Sequence, residues 1–344
     1  MIEMLVVFAI MALMLALSAG TYVSIERSNK AQAAVSAFDV ALRQARNAAV
    51  SANAPAFVVI DDHRIVPWVY KTVGLWHFED RDSYGRSSGA FHEAVMRGAE
   101  LVNEGKIGKA AKLNPKSWID VGSSPDFDLE DGGFLEIYVR SGVHKFSSEQ
   151  FIFQKQGAYS FSVGAGGVLS GNAGNHTLKT PTYRLTPGRW TKLAFAWDRL
   201  ATRIFADDAV VAIGPGSAPA LSDHPLLIGH SESGSFIGLV DEARVMTVSA
   251  GREVPIPLQC TVTSNLAPWS AVYFDSDGSL DMRYHAGPLS VTFTQNGKAR
   301  SVNISMLGQT VRTEVVDVKS ETEERADEPL TAVKPFKPGK EDNR

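Results

Sequence analysis

MIEMLVVFAIMALMLALSAGTYVSIERSNKAQAAVSAFDVALRQARNAAV, residues 1–50, decides how the rest of the chain is read. One acid, Glu3, precedes an uncharged run from Met4 to Ile25, and polar, helix-forming sequence continues to about Ser51. A run of that length crosses the roughly 30 Å hydrocarbon core of a bilayer as a single helix. A secretory signal peptide would instead show a basic n-region and a small-residue cleavage site after a shorter apolar segment. No Lys or Arg precedes Arg27, and the helical pattern runs on past Ser18-Ala19-Gly20. A carboxylate at the edge of a membrane helix is costly and marks function. Glu3 is therefore the first candidate functional residue.

Beyond the apolar run, Val35, Phe38, Val40, Leu42, Ala45, Ala49 and Val50 form an amphipathic stripe suited to packing on a sheet. The helix is expected to end before Asn53-Ala54-Pro55, because proline disfavours helix in the residue before it. Ala56–Ile60 then reads as a strand. After residue 54, Gly and Pro are frequent and the apolar runs are short, an all-β texture. The 344 residues suffice for one to three domains with a sizeable core. A formal net charge of −4 gives no basic field for nucleic acid. The only cysteine, Cys260, excludes an intrachain disulfide and any multi-cysteine metal site, and reads as a small buried hydrophobe.

Met1-Ile2-Glu3-Met4-Leu5-Val6-Val7 resembles the N-terminus of type IV pilins and type II secretion pseudopilins, matching from their third mature residue onward. The resemblance implies that Glu3 meets the free N-terminal amine of a neighbouring subunit during assembly. The basic leader and Gly-Phe of that family are not in the chain as written, as a start codon assigned inside the motif would produce. Ala45-Arg46 near the helix end, a short break and a strand are similar to the H-class minor pseudopilins. Their pattern resumes at Val272-Tyr273-Phe274-Asp275-Ser276-Asp277-Gly278-Ser279. Strand-like runs at Leu289–Thr294 and Ser301–Ser305 follow, joined by Gln295-Asn296-Gly297-Lys298, a strong hairpin signal. Ile304-Ser305-Met306-Leu307-Gly308 resembles the closing segment.

The intervening stretch, about Lys71 to Gly251, has a different character. Gly74-Leu75-Trp76-His77-Phe78-Glu79 and Gly105–Leu113 resemble the opening of laminin-G-like, concanavalin A-like domains. Trp118–Val121, Pro125–Leu129 and the alternating Phe134–Val139 continue that pattern. Pro187-Gly188-Arg189-Trp190, running into Thr191–Asp198, carries the family's Gly-x-Trp turn and strand. Leu226–Gly229 with Phe236–Val245 looks like its closing pair. Two packed antiparallel sheets in a jelly roll are the implied architecture.

Some related sandwiches hold one structural calcium between their first and last strands. By matching position its ligands would be Asp80, Asp82 and Asp241, hard oxygen donors of the kind calcium takes. The plain alternative for Asp241-Glu242 is a surface turn paired with Arg244. Glycosidases occur on the same fold and need paired carboxylates across a cleft. The family-16 spacing is absent and Glu136 stands alone in its strand, so no catalysis is expected. Gly164-Ala165-Gly166-Gly167 reads as a hairpin turn. His77, His92 and His144 have no fixed ligand spacing. Trp68 and Trp269 stand near the two junctions of the insert, either plugging the seam or leaving one indole exposed.

The expected fold is α+β and mostly β. A pilin-like helix covers 1–53, with its membrane part at about 4–25. A split pseudopilin β head covers 54–70 and 252–318, a β-sandwich insert 71–251, and a charged, disordered tail 319–344. The expected role is a minor pseudopilin-like subunit of a type II secretion or type IV pilus-like system. It would be single-pass in a bacterial inner membrane, with its C-terminal bulk in the periplasm. Its partners would be other pilin subunits, the membrane, and a glycan or secreted protein bound by the sandwich. The alternative is a membrane-anchored carbohydrate-binding or adhesive protein that uses a pilin-type export signal.

Overall fold

The computed structural model describes residues 11, 14, 32–60, 64–79, 92–257, 260–266, 271–295 and 298–317. Helix covers 32–52. Its buried face is Ala34, Val35, Phe38, Ala41, Leu42, Ala45 and Ala49, a three-and-four spacing that keeps one side on the protein. Val40 and Val50, expected in the stripe, are about half exposed instead. The 3.6-residue period turns both outward, and Ala34 and Ala41 take the inner places.

That face packs on Val291, Phe293, Val302 and Ile304 of a four-stranded antiparallel sheet, and on Ala56, Val58 and Phe274 of a second sheet. Phe38 and Phe293 set their ring centroids 5.6 Å apart. Asp39 is the one carboxylate on this face. Burial opposes its charge, but hydrogen bonds from Arg312 and Thr310 hold it below the usual carboxylate range. The hairpin Leu289–Gln295 with Lys298–Ile304 forms as read, with Gln295 opposite Lys298. The segments read as one split β head divide between two sheets. Ala56–Ile60 pairs with Val272–Phe274 in the large sheet, while the hairpin joins Thr261–Ser264 and Thr310–Asp317.

Two larger sheets make an antiparallel sandwich. Among the described residues the first has eleven strands. Its main path runs Ala209–Pro215, Ala201–Ala206, Thr191–Asp198, Gly132–Ser141, Gly238–Ala250, Arg64–Trp76, Ala56–Ile60, Val272–Phe274. The second has nine and includes Trp118–Gly122, Leu226–Ile228, Gln150–Lys155, Tyr159–Val163 and Leu169–Ala173. Alternating residues from both inner faces, among them Trp76, Phe153, Phe161, Phe195 and Trp197, interdigitate in one core. The buried indoles of Trp76 and Trp197 each find a backbone acceptor, at His92 O (3.2 Å) and Leu129 O (3.1 Å).

Two differences from the sequence reading stand out. Leu226–Ile228 and Gly238–Ala250 are not a pair: they lie in opposite sheets, because the chain crosses the sandwich through Gly229 and the short hairpin His230–Ser235. Meanwhile Arg64–Trp76 passes position 70 unbroken and pairs with Gly238–Ala250 from Trp76↔Ala243 to Trp68↔Ala250. The large sheet is therefore continuous between the helix-bearing part and the sandwich.

No helix among the described residues is long and apolar enough to cross a membrane. Apart from Met11 and Met14, the Met4–Ile25 run lies outside the described residues, as do Glu3, the 319–344 tail and Trp269.

Candidate functional site

The outer face of the nine-stranded sheet carries a cleft of about 530 Å³. Strand alternation explains its floor. Trp118 and Asp120, two apart on one strand, point outward while Ile119 and Val121 point into the core. Leu227 pairs with Asp120 on one side and with Gln154 on the other, so three strands deliver one continuous row. From the adjoining turn, His230 stacks on Trp118 with centroids 4.8 Å apart and planes 20° from parallel. Its Nδ1 is held by Ser235 Oγ at 2.8 Å, which fixes the ring on the indole.

The rim is anchored from below. Lys155 is buried, and its Nζ lies 3.0 Å from the carbonyl of His224 and 3.3 Å from Asp128 Oδ1. A buried ammonium held by carbonyls and a carboxylate is compensated, and it pins the 222–225 loop in place. Ser222 Oγ adds a bond to the carbonyl of Gln156. Asp120 is oriented by the backbone N–H of Gly122 at 3.0 Å, with Arg97 3.7 Å away. Two buried acceptors here take no hydrogen bond: Asp128 Oδ1, which has only the ion-pair contact with Lys155, and Gln154 Oε1, on a residue that lines the cleft. Buried acceptors of that kind are costly unless a donor arrives.

Chemically this is a flat aromatic pair bordered by amides, hydroxyls and carboxylates. Such a surface stacks the apolar face of a small ring and exchanges hydrogen bonds with groups at its edge.

The other residues singled out in the sequence fall elsewhere. Glu136 lies on the opposite sheet, in an ion pair with Lys192 at 3.0 Å. Asp241 is fully buried, so the surface turn with Arg244 does not form; Arg244 bonds Thr72 instead. Asp241 Oδ2 accepts from the backbone N–H groups of Lys106 and Ile107 (2.8 and 3.0 Å), and Oδ1 from that of Glu242 (2.8 Å). Burial pushes its carboxyl up to about 6, with Glu242 adding to the rise and the three N–H bonds opposing it. Of the four acceptor positions a carboxylate offers, the peptide groups occupy three. Asp80 and Asp82 lie outside the described residues. Among the described residues, no three His, Cys, Asp or Glu side chains gather as a metal cluster.

His77 bonds Glu242 at 2.8 Å, and His92 bonds Asp126 at 2.9 Å while lying against Phe127. Residues 164–167 turn between two paired strands, with Gly166 and Gly167 at φ of 71° and 80°. Sequence reasoning placed Trp118 on a strand but did not connect it to His224, His230 or Glu232. The signal was the i, i+2 pair Trp118 and Asp120, an aromatic and an acid on the face that alternation turns outward.

Residues 117–251 match the family model described as "Concanavalin A-like lectin/glucanases superfamily", and the sandwich is a laminin-G-like, concanavalin A-like jelly roll. No curated protein matches the sequence. Among solved structures, domain 4 of AbnA, a GH43 extracellular arabinanase from Geobacillus stearothermophilus in complex with arabinotriose, is 19% identical. The match covers 56% of this chain and 96% of that one, with a TM-score of 0.43. The binding domain of Paraclostridial Mosquitocidal Protein 1 is 14% identical over 51% of this chain and 48% of its own, with a TM-score of 0.43. A structure reported under cell entry of botulinum neurotoxin type C, dependent upon interaction with two ganglioside molecules, is 8% identical. It covers 67% and 72% of the two chains, with a TM-score of 0.41.

Proposed function

We propose that this chain is a saccharide-binding protein whose jelly roll takes a glycan in the Trp118 cleft, without catalysis. The observation that carries the reading is the Trp118–His230 stack in a cleft otherwise lined by amide, hydroxyl and carboxylate side chains. The stack offers a flat apolar surface, and the amide, hydroxyl and carboxylate groups of Gln154, Gln156, Ser231 and Asp120 line the same cleft; the face and the edge hydroxyls of a sugar ring match both. The match of 117–251 to a lectin-containing superfamily supports it. The test is a glycan array probed with the full chain beside Trp118→Ala. Selective glycan capture weakened in the variant is the expected result, and equal capture by both proteins would overturn it.

A finer reading concerns how the jelly roll is presented. The helix seated on a four-stranded antiparallel sheet, preceded by the Met4–Ile25 apolar run, supports a pilin-like carrier. In that reading the chain is anchored in a bacterial inner membrane. It assembles through Glu3 with other pilin-type subunits of a type II secretion or type IV pilus-like system. The structural calcium at Asp80, Asp82 and Asp241 is a separate proposal. It is supported by the acceptor position left on Asp241 and by the pairing of the sandwich's opening and closing strands. Millimolar calcium should then raise the melting temperature of the full chain, and Asp241→Asn should blunt the rise. Identical curves with calcium and with chelator would reject the ion.

A further inference from the structure

A second cleft, of about 420 Å³, lies where the helix-bearing part meets the sandwich, on the far side of the molecule's large sheet from the nine-stranded one. Both parts build it. Phe57, Arg64, Trp68 and Glu253 come from one, and Asp131 and Arg199 from the other. Its volume falls within the range of roughly 300–1,000 Å³ typical of small-molecule sites, and seams between domains are where such sites concentrate.

The floor follows from strand register. Tyr273, Phe57, Trp68 and Ala250 stand opposite one another on four successive strands. Tyr273 and Phe57 are buried, with centroids 5.2 Å apart. Phe57 and Trp68 follow at 6.1 Å, with planes only 10° from parallel. Trp68 ends this aromatic row and is only partly buried. The next places belong to Ala250 and Gly251, which carry a methyl group and nothing, so no tall side chain from those positions stands over the indole. Large aromatic side chains left partly open in a concave site are anchors for ligands with a flat apolar face.

The walls are zwitterionic. Arg64 pairs with Glu253 at 3.3 Å, and Arg199 with Asp131 at 2.5 Å. Asp198 also borders the cleft, but the N–H groups of Leu200 and Ala201, Arg203 and Tyr273 Oη already occupy it. Two guanidinium groups against two free-edged carboxylates leave no net charge for an ionic ligand to answer. They do present planar donors and acceptors at both ends of an aromatic floor. A neutral pyranose or furanose ring matches this: C–H groups on one face, and hydroxyls around the edge able to donate to carboxylates and accept from guanidinium groups.

We infer that the seam cleft is a second saccharide site, binding one neutral sugar ring against Trp68. It is separate from the Trp118 cleft and shares no residue with it. A chain with both sites grips a glycan surface bivalently, and the gain in avidity needs no new contact.

The experiment titrates the full chain with neutral trisaccharides (cellotriose, maltotriose, arabinotriose) and follows tryptophan emission and calorimetric stoichiometry. The expected result is that Trp118→Ala retains one saturable site, and that adding Trp68→Ala weakens it about tenfold or more. Trp68→Phe, which keeps a ring on Phe57, serves as the folding control and should retain part of the affinity. Asp131→Ala with Arg199→Ala, both exposed, should weaken the same site several-fold without moving the melting temperature. If Trp118→Ala alone removes all binding, the second site is overturned while the Trp118 reading stands. If Trp68→Ala removes all binding and Trp118→Ala none, the seam site stands and the first reading falls. Binding of the tripeptide Gly-Trp-Gly at Trp68 with no response to any trisaccharide would overturn the saccharide assignment.

Discussion

The phenol of Tyr273 donates to Asp198 Oδ2 at 3.1 Å, joining a strand beside the helix-bearing part to the end of a sandwich strand seventy-five residues away in sequence. Arg203 Nη1 reaches the same oxygen at 3.1 Å. Its guanidinium lies over Tyr273 and Tyr284, 5.0 and 5.1 Å from their centroids, and those two rings stack at 3.9 Å. Both charges are buried and fully served, the condition under which a buried ion pair is tolerated.

This junction predicts cooperativity. Tyr273→Phe removes one donor from a buried carboxylate and should cost about 1–3 kcal/mol. Arg203→Met strands Asp198 without its cation and should cost about 3–5 kcal/mol. Urea unfolding followed by both circular dichroism and tryptophan emission checks this. Each variant should shift one common transition, and two separated transitions in the parent would contradict the coupling.

His285 and Asp241 set opposing acid responses. Burial lowers the imidazole of His285 to about 4, with Arg203 adding to the fall and Asp281 opposing it, and its Nε2 accepts from the N–H of Tyr273 at 2.8 Å. From about 6.5 down to about 4 the unfolded chain takes up this proton and the folded one does not. The stability His285 contributes is therefore lost as pH falls through that window, by on the order of 3 kcal/mol. Asp241, raised to about 6, binds its proton more tightly when folded. Its contribution is complete below about 3.8 and is lost as pH rises towards 6, by a similar amount. Melting curves in chelator should thus show a steeper acid loss for Asp241→Asn and a shallower one for His285→Asn. Parallel pH profiles for parent and variants would refute the assignment.

Gly278 should tolerate no side chain. Its φ is +82°, and a Cβ there would lie 3.0 Å from Arg46 Cγ and Val50 Cγ2 on the helix. Its carbonyl also accepts from Arg46 Nε at 3.0 Å. Gly278→Ala should destabilise by roughly 1–2 kcal/mol, through backbone strain and displacement of the helix. Hydrogen exchange should locate the loss in residues 32–52; uniform or absent change would argue against it.

Glu3→Ala tests the carrier. If the carboxylate meets a neighbour's N-terminal amine, the variant should insert into membranes normally yet fail to cross-link into filaments. Normal cross-linking would remove the assembly role.

Much of the fold was legible where information is local. The 3.6-residue stripe marked the helix, Asn296-Gly297 marked the hairpin, and alternation in Phe134–Val139 marked a core strand. The candidate site was not, because it is assembled across sequence distance. Leu226–Ile228 inserts between Trp118–Gly122 and Gln150–Lys155, and only that register sets Leu227 between Asp120 and Gln154. His230 reaches Trp118 from a two-residue strand with no periodic signature. Asp241 misled for a related reason. An acid next to Glu242 looks solvated, yet three peptide N–H groups from two chain segments made its burial possible.

The ladder from Trp76↔Ala243 to Trp68↔Ala250, which carries one bulge between Val245 and Met246, has an architectural consequence. Strands paired this way keep their backbones about 5 Å apart. The chain therefore leaves for the sandwich and returns from it at neighbouring points. Seen from the smaller part, some 170 residues occupy the place of one β-turn; the entropy of closing such an excursion rises only slowly with its length, by about 0.6 kcal/mol per doubling. The backbone ladder alone asks only that a module's first and last strands run antiparallel side by side. The side chains ask more: Phe57 and Tyr273 share a buried cluster with Phe134, Ala194, Ala196 and Phe205 of the sandwich, and Tyr273 bonds Asp198, so any module exchanged at that point must rebuild this contact.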